Sequence, residues 1–167
     1  RYGEVALARG WSHPEFTAID IGRFTGIKPF ELSEFTTRPP HITFVARTDR
    51  LWFDSALSKL LYRALNPLGL RGSLGAWFVR RQTMMIKKTI RKIKREYPDA
   101  SFSVVGLAKP GGLADVAEDL RTTRIDKETE LLWCRTYAKS HVVIGVHGSN
   151  MLLPTAHAAG LVEILPY

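Results

Sequence analysis

The stretch that decides the fold is SHVVIGVHGSNMLLPTAHAAGLVEILPY, Ser140–Tyr167. The apolar run Val142–Val146 stops at His147-Gly148. A short helical stretch opens at Ser149-Asn150, and a second apolar run, Leu161–Leu165, closes it. The pattern predicts strand, tight polar turn, helix, strand. A parallel sheet places its ligands where the first strand ends and the helix begins. Here that point carries a histidine, a glycine, a hydroxyl and an amide.

Working outward, the same alternation runs back through the chain. Asp126–Ser140 has the pattern of an amphipathic helix leading into the first of these strands. Ile42–Ala46 (ITFVA) is β-branched and aromatic and follows Pro39-Pro40, which predicts a buried strand. Leu51–Leu65 carries Leu57, Leu60, Leu61, Ala64 and Leu65 at helical spacing. Ala76–Tyr97 is a second helical segment, with Met84, Met85, Ile86, Ile90 and Ile93 as its apolar stripe and Pro98 as its stop. Phe102–Leu107 (FSVVGL) predicts a strand, Lys109-Pro110-Gly111-Gly112 a loop, and Leu113–Leu120 a short helix. Strands alternating with helices argue an α/β fold: a Rossmann-like open parallel sheet flanked by helices. We place this domain at 41–167. Residues 1–40, with scattered aromatics and glycines, form an N-terminal arm or the remnant of a preceding domain and its linker. The chain starts without methionine, and its last strand stops where a doubly wound fold continues into a helix. Both suggest a fragment and a truncated domain.

Composition bounds the function. The chain has 167 residues, 45% hydrophobic and 24% charged, which is ordinary for a folded domain. Its net charge of +8 favours anionic partners: nucleic acid, anionic lipid or phosphate-bearing small molecules. No apolar run approaches the ~20 residues that cross a bilayer. Cys134 is the only cysteine, so there is no internal disulfide, which fits a reducing compartment. A cytoplasmic location is the expectation, with the secretory-pathway lumen as the alternative should a leader precede Arg1.

The candidate site residues follow from the strand ends. Gly148 lets a ligand approach the backbone closely, and unpaired N–H groups at the start of the following helix favour a phosphate. Ser149 or Asn150 caps that helix or donates to the ligand. His147 donates to a phosphate or sugar oxygen, or acts as a general acid or base. Arg47 and Arg50 follow the first strand, on the same rim as His147, and guanidinium forks suit phosphate oxygens. Glu163, inside an apolar strand, holds ribose hydroxyls or pairs with a nearby arginine. The histidines have no metal-ligand spacing, and no metal or other cofactor is assigned. The basic run Lys87–Arg95 reads as a solvated face. Its rival is a surface for anionic membrane or nucleic acid, and the segment 84–95 is the candidate for peripheral membrane contact. No recognition signature or interleaved aromatic supports nucleic acid, which is not expected as a partner.

VVIGVHGSNMLLPTAHAAGLVEILP resembles the C-terminal signature of glycosyltransferase family 61: a hydrophobic strand, His-Gly, an apolar helix, a glycine, and a strand with glutamate before proline. ITFVARTDR resembles that family's earlier block, a strand followed by two arginines. The resemblance covers Pro40–Tyr167. It implies one half of a glycosyltransferase B architecture, holding a nucleotide-sugar donor, typically a uridine diphosphate sugar. It further implies inverting, metal-independent transfer to an acceptor hydroxyl on a glycan. Arg47, Arg50, His147, Gly148 and Glu163 are the positions it assigns to the donor. The rival from another class is a non-catalytic basic module that binds through Lys87–Arg95. A third reading is a degenerate transferase domain that binds nucleotide without turnover.

Overall fold

A computed structural model describes residues 25–53, 56–65 and 71–165. Five strands form one all-parallel sheet: β1 (His41–Val45), β2 (Ser101–Leu107), β3 (Glu118–Thr122), β4 (Val142–Val146) and β5 (Leu161–Ile164). Their order is β3-β2-β1-β4-β5. The helices are α1 (Ala56–Leu65), α2 (Arg71–Glu96), α3 (Lys127–Ala138) and α4 (Leu152–His157). The expected α/β architecture is therefore present: a Rossmann-like parallel sheet flanked by helices.

The period-two alternation of a strand sends its side chains to two cores. On one face Phe44, Phe102 and Val104 pack with Ile86 and Ile90 of α2. On the other, Val45, Val105 and Val143 pack with Trp133 and Tyr137 of α3. Both faces are covered, which is why the central strands read as continuous apolar runs. α3 starts at Asp126, whose carboxylate accepts from the Thr129 N–H at 2.8 Å, a cap that satisfies one of the unpaired donors of the first turn. Cys134 lies on the buried face of this helix, and burial pushes its thiol pKa up, as suits a core residue.

Three local expectations fail, each for a physical reason. Leu113–Leu120 is not a helix: a turn covers 114–116, and Glu118–Thr122 is the edge strand β3. Its sequence, EDLRT, hides the strand because an edge carries charge that discourages further pairing. On α1, Leu57 and Leu60 are exposed (74% and 64%), whereas Ser58 is buried, so the leucine stripe does not face this core. On α2, Met84 is exposed and the buried positions are Phe78, Gln82, Ile86 and Ile90, one every four residues. The described part of the arm, 25–40, packs on the domain. Phe30 is buried, its N–H donates to the His157 carbonyl, and its ring sits 4.8 Å from that of His141.

His41, at the start of β1, is enclosed with Ser101 at 2.7 Å and Ser103 at 3.1 Å. Burial, aided by the nearby Lys139 and His141 and opposed by Glu118, lowers its pKa from 6.5 to about 4. Between those values the unfolded chain binds a proton that the folded chain refuses. Stability therefore falls as pH drops through that window. Between pH 7 and pH 5 this group alone removes about 2 kcal/mol. Urea midpoints at the two pH values check it: the difference shrinks in His41→Asn, and an equal difference in both proteins refutes it.

Candidate functional site

The chain leaves β1 toward β2 and β3 on one side, then returns past β1 to β4 and β5 on the other. The connections diverge between β1 and β4, and a crevice opens outside the carboxyl ends of those two strands. β1 delivers the loop 46–50 to that point, and β4 delivers the turn 147–150. Both strands are held in register as direct neighbours, Val45 opposite Gly145.

Arg50 closes the gap. Its Nη1 donates to the His147 carbonyl at 2.6 Å. Its guanidinium lies over Gly148. A Cβ at 148 would sit 2.5 Å from Nη1 and 2.7 Å from Cζ, and φ there is +153°. The conformation calls for glycine, and a side chain here would push the guanidinium off the turn. Gly145, inside β4, is tight in space alone: a Cβ there would meet the Met151 sulfur at 2.5 Å.

His147 is held from the other side. Its Nδ1 lies 2.7 Å from Glu163 Oε2, and the imidazole is 55% exposed. With the Nδ1–H donated to the carboxylate, Nε2 is the ring atom left for a ligand, as acceptor when neutral and donor when protonated. The partner of Glu163 is therefore this imidazole, not an arginine. It also resembles the carboxylate–imidazole pairing that fixes ring orientation in many sites.

The start of the next helix is less regular than the sequence suggests. Ser149–Met151 is a 3-10 turn, the Met151 N–H already donates to the Gly148 carbonyl at 2.8 Å, and α4 is only six residues long. Positive charge at the turn comes from Arg50 more than from aligned peptide dipoles. Ser149 is exposed. Asn150 makes no side-chain cap; its Nδ2 donates to the Val146 carbonyl at 3.5 Å, and its buried Oδ1 has no partner among the described residues.

Arg47 sits beside this cluster in a different state. Its Nε and Nη2 both donate to the Asp49 carboxylate at 2.7 Å, so its fork is already filled. Those hydrogen bonds hold the Asp49 carboxyl below the usual range. The two arginines are thus not equivalent: Arg50 faces the His147 turn, and Arg47 shapes its own loop.

Two positioning residues were not among the candidates read from the sequence. Gln82, buried in the α2 stripe, accepts from the Trp52 N–H at 2.9 Å and donates to the Arg47 carbonyl at 3.1 Å, tying the arginine loop to the helix. Arg121 of β3 is buried and forms a two-point pair with Asp119. It also donates to the Gly111 carbonyl at 2.6 Å and to the Thr83 hydroxyl at 3.2 Å. It fixes the loop 109–112 at the carboxyl end of β2. The only trace of the first is an amide inside an apolar stripe; the second lay beyond the helix expected at 113–120, in a strand that the sequence did not mark.

The structure brings Arg50, His147, Gly148, Asn150 and Glu163 to one point, with Ser149 at its rim. Among the described residues no group of three or more histidine, cysteine or acidic side chains is arranged to hold a metal ion, and no helix is long and apolar enough to cross a membrane. No protein-family model matches this chain, and comparison with curated proteins and with solved structures likewise gives no match.

Proposed function

We propose that this chain is the donor-holding part of a glycosyltransferase. It binds a nucleotide diphosphate sugar, with a uridine diphosphate sugar as the leading candidate, and presents it to an acceptor hydroxyl on a glycan. The observation that carries the reading is the Arg50 guanidinium set against the His147-Gly148 turn at the point where the strand order reverses.

The crevice beside Arg50 and Val146 measures about 170 Å³. Pockets that enclose a drug-sized ligand run from ~300 Å³ upward. This cavity is too small for the whole donor; Arg50 and Lys59 in its lining offer charge to the diphosphate, and sugar and base lie outside it along the rim. In an inverting transfer the acceptor oxygen attacks the anomeric carbon, its hydroxyl proton passes to a general base on the acceptor side, to which no described residue is assigned, and the bond to the diphosphate oxygen breaks. The electron pair of that bond leaves on the diphosphate. Arg50 meets this developing charge, and the His147 ring beside it offers a second hydrogen-bonding group to the diphosphate. Glu163 fixes the ring so that Nε2 keeps its direction. Arg50 thereby supplies the positive charge that a metal ion supplies in other transferases.

Calorimetric titration with uridine diphosphate tests the reading. Binding at or tighter than ~1 mM is expected. Arg50→Ala and His147→Ala are each expected to weaken it about tenfold or more, the worth of a charge-assisted hydrogen bond. No saturation at millimolar nucleotide, or equal affinity in the variants, overturns it. The rival reading as a basic module predicts instead that nucleotide affinity follows the lysines of α2 and ignores the turn.

A further inference from the structure

A second concavity lies beside the small cavity at Arg50. An open groove of about 1370 Å³ runs between α2 and the loop 109–112. Five cations of α2 line it: Arg80, Lys87, Lys88, Arg91 and Arg95. From Arg80 to Arg95 the helix rises ~22 Å. Lys109 adds a further charge from the loop, and among the described residues Asp49 is the only carboxylate in the lining. Lys87 and Arg91 share Asp115 at 2.6 and 3.0 Å, whereas Arg80, Lys88 and Lys109 make no ion pair among the described residues. The groove is also held open by construction, because buried Arg121 anchors the loop by its Gly111 carbonyl. It meets the crevice at Asp49, Leu51 and Tyr62, which line both.

We infer that this groove binds an acidic oligosaccharide, a chain of uronate or sulfated sugars. Its position as the acceptor path rests on the donor reading above; its binding does not. The charge is arranged along a trench, so an extended polyanion can satisfy several cations at once. Thr48, also in the lining, adds a hydroxyl group that suits sugar hydroxyls. Single-stranded nucleic acid fits less well, because bases need free ring faces. Phe78 is buried, Tyr62 packs on Phe53 and Phe78 at 5.3 and 5.1 Å, and Arg81 covers Trp77. A bilayer is flat and meets only the lips of a trench, whereas a chain lies within it.

The experiment is calorimetry of the full chain with a galacturonate hexamer, at fixed ionic strength. Lys88→Gln/Arg91→Gln/Arg95→Gln is expected to weaken binding at least about tenfold. Lys92→Gln/Lys127→Gln/Arg135→Gln removes the same charge outside the groove and is expected to change it less than about threefold. Should the first variant melt early, Lys88→Gln/Lys109→Gln breaks no ion pair among the described residues and gives the same test. Equal losses in the two sets, or equal binding of neutral cellohexaose, overturn the inference. So does groove-dependent binding of oligo-thymidine or phosphatidylserine vesicles that is tighter than that of the hexamer. Arg50→Ala is expected to lose uridine diphosphate and keep the hexamer. Hexamer binding in a protein that never binds the nucleotide upholds the groove and overturns the donor reading instead.

Discussion

Gly106→Ala is expected to destabilise the fold by about 4 kcal/mol, the upper end of single-substitution effects. Gly106 lies inside β2, between β1 and β3, with φ +119°. A Cβ there would overlap the Ala46 carbonyl oxygen and crowd the Ala46 nitrogen at 3.1 Å. That neighbour is backbone, anchored by its own hydrogen bond from the Ala46 N–H to the Val105 carbonyl at 2.8 Å, so it cannot swing aside. Gly111 is the internal control. Its φ is +132°, but a Cβ there meets nothing within 4 Å. Gly111→Ala therefore carries the conformational cost alone, about 1–2 kcal/mol. Thermal midpoints separate the two, with a drop of roughly 10 °C for Gly106→Ala. Similar midpoints in the two variants would show that the clash is relieved by backbone movement.

Arg121→Met is expected to cost about 3–5 kcal/mol, because it leaves a carboxylate in a dry place without its cation. Arg121 is 4% exposed, and the Asp119 side chain is 10% exposed. Burial pushes the Asp119 pKa up, but the hydrogen bonds from Arg121 and the Gly111 N–H outweigh it and hold the carboxyl below its ordinary value. Removing the arginine reverses that balance. The double variant Arg121→Met/Asp119→Leu is expected to recover about half of the loss or more, since replacing both charges removes the unpaired carboxylate. Urea unfolding of the single and double variants checks this. Amide exchange at Gly111 and Gly112 supplies a second reading: the loop should exchange faster in both variants, because both lose the bond to the Gly111 carbonyl. Unchanged exchange would detach Arg121 from the loop.

Much of the fold was legible because a parallel sheet writes itself plainly. Strands buried on both faces must be apolar throughout, and the runs at 42–46, 102–107 and 142–146 had no other good reading. β3 was illegible for the opposite reason. At an edge, half of its hydrogen-bonding potential faces outward, and its residues answer to charge rather than to core packing. The α1 leucines misled because helical spacing says that a face is apolar, not what covers it. The candidate site was half legible. His147, Gly148 and the arginines were marked by their places after apolar runs. The division of labour between Arg47 and Arg50 was not, since Asp49 is a near neighbour in sequence for both and only geometry decides which it binds.

The sequence by itself determined the fold class, the rim on which chemistry gathers, and the residue types there. These follow from local patterns: burial sets strand composition, and glycine and polar residues mark the turns. Only the tertiary structure decided which strands are neighbours, and so that the Arg50 loop and the His147 turn share one crevice. It alone paired His147 with Glu163 and turned a run of lysines and arginines into the wall of a groove. Each of these joins residues far apart in the chain, and their approach depends on strand order and crossovers that no local spacing encodes.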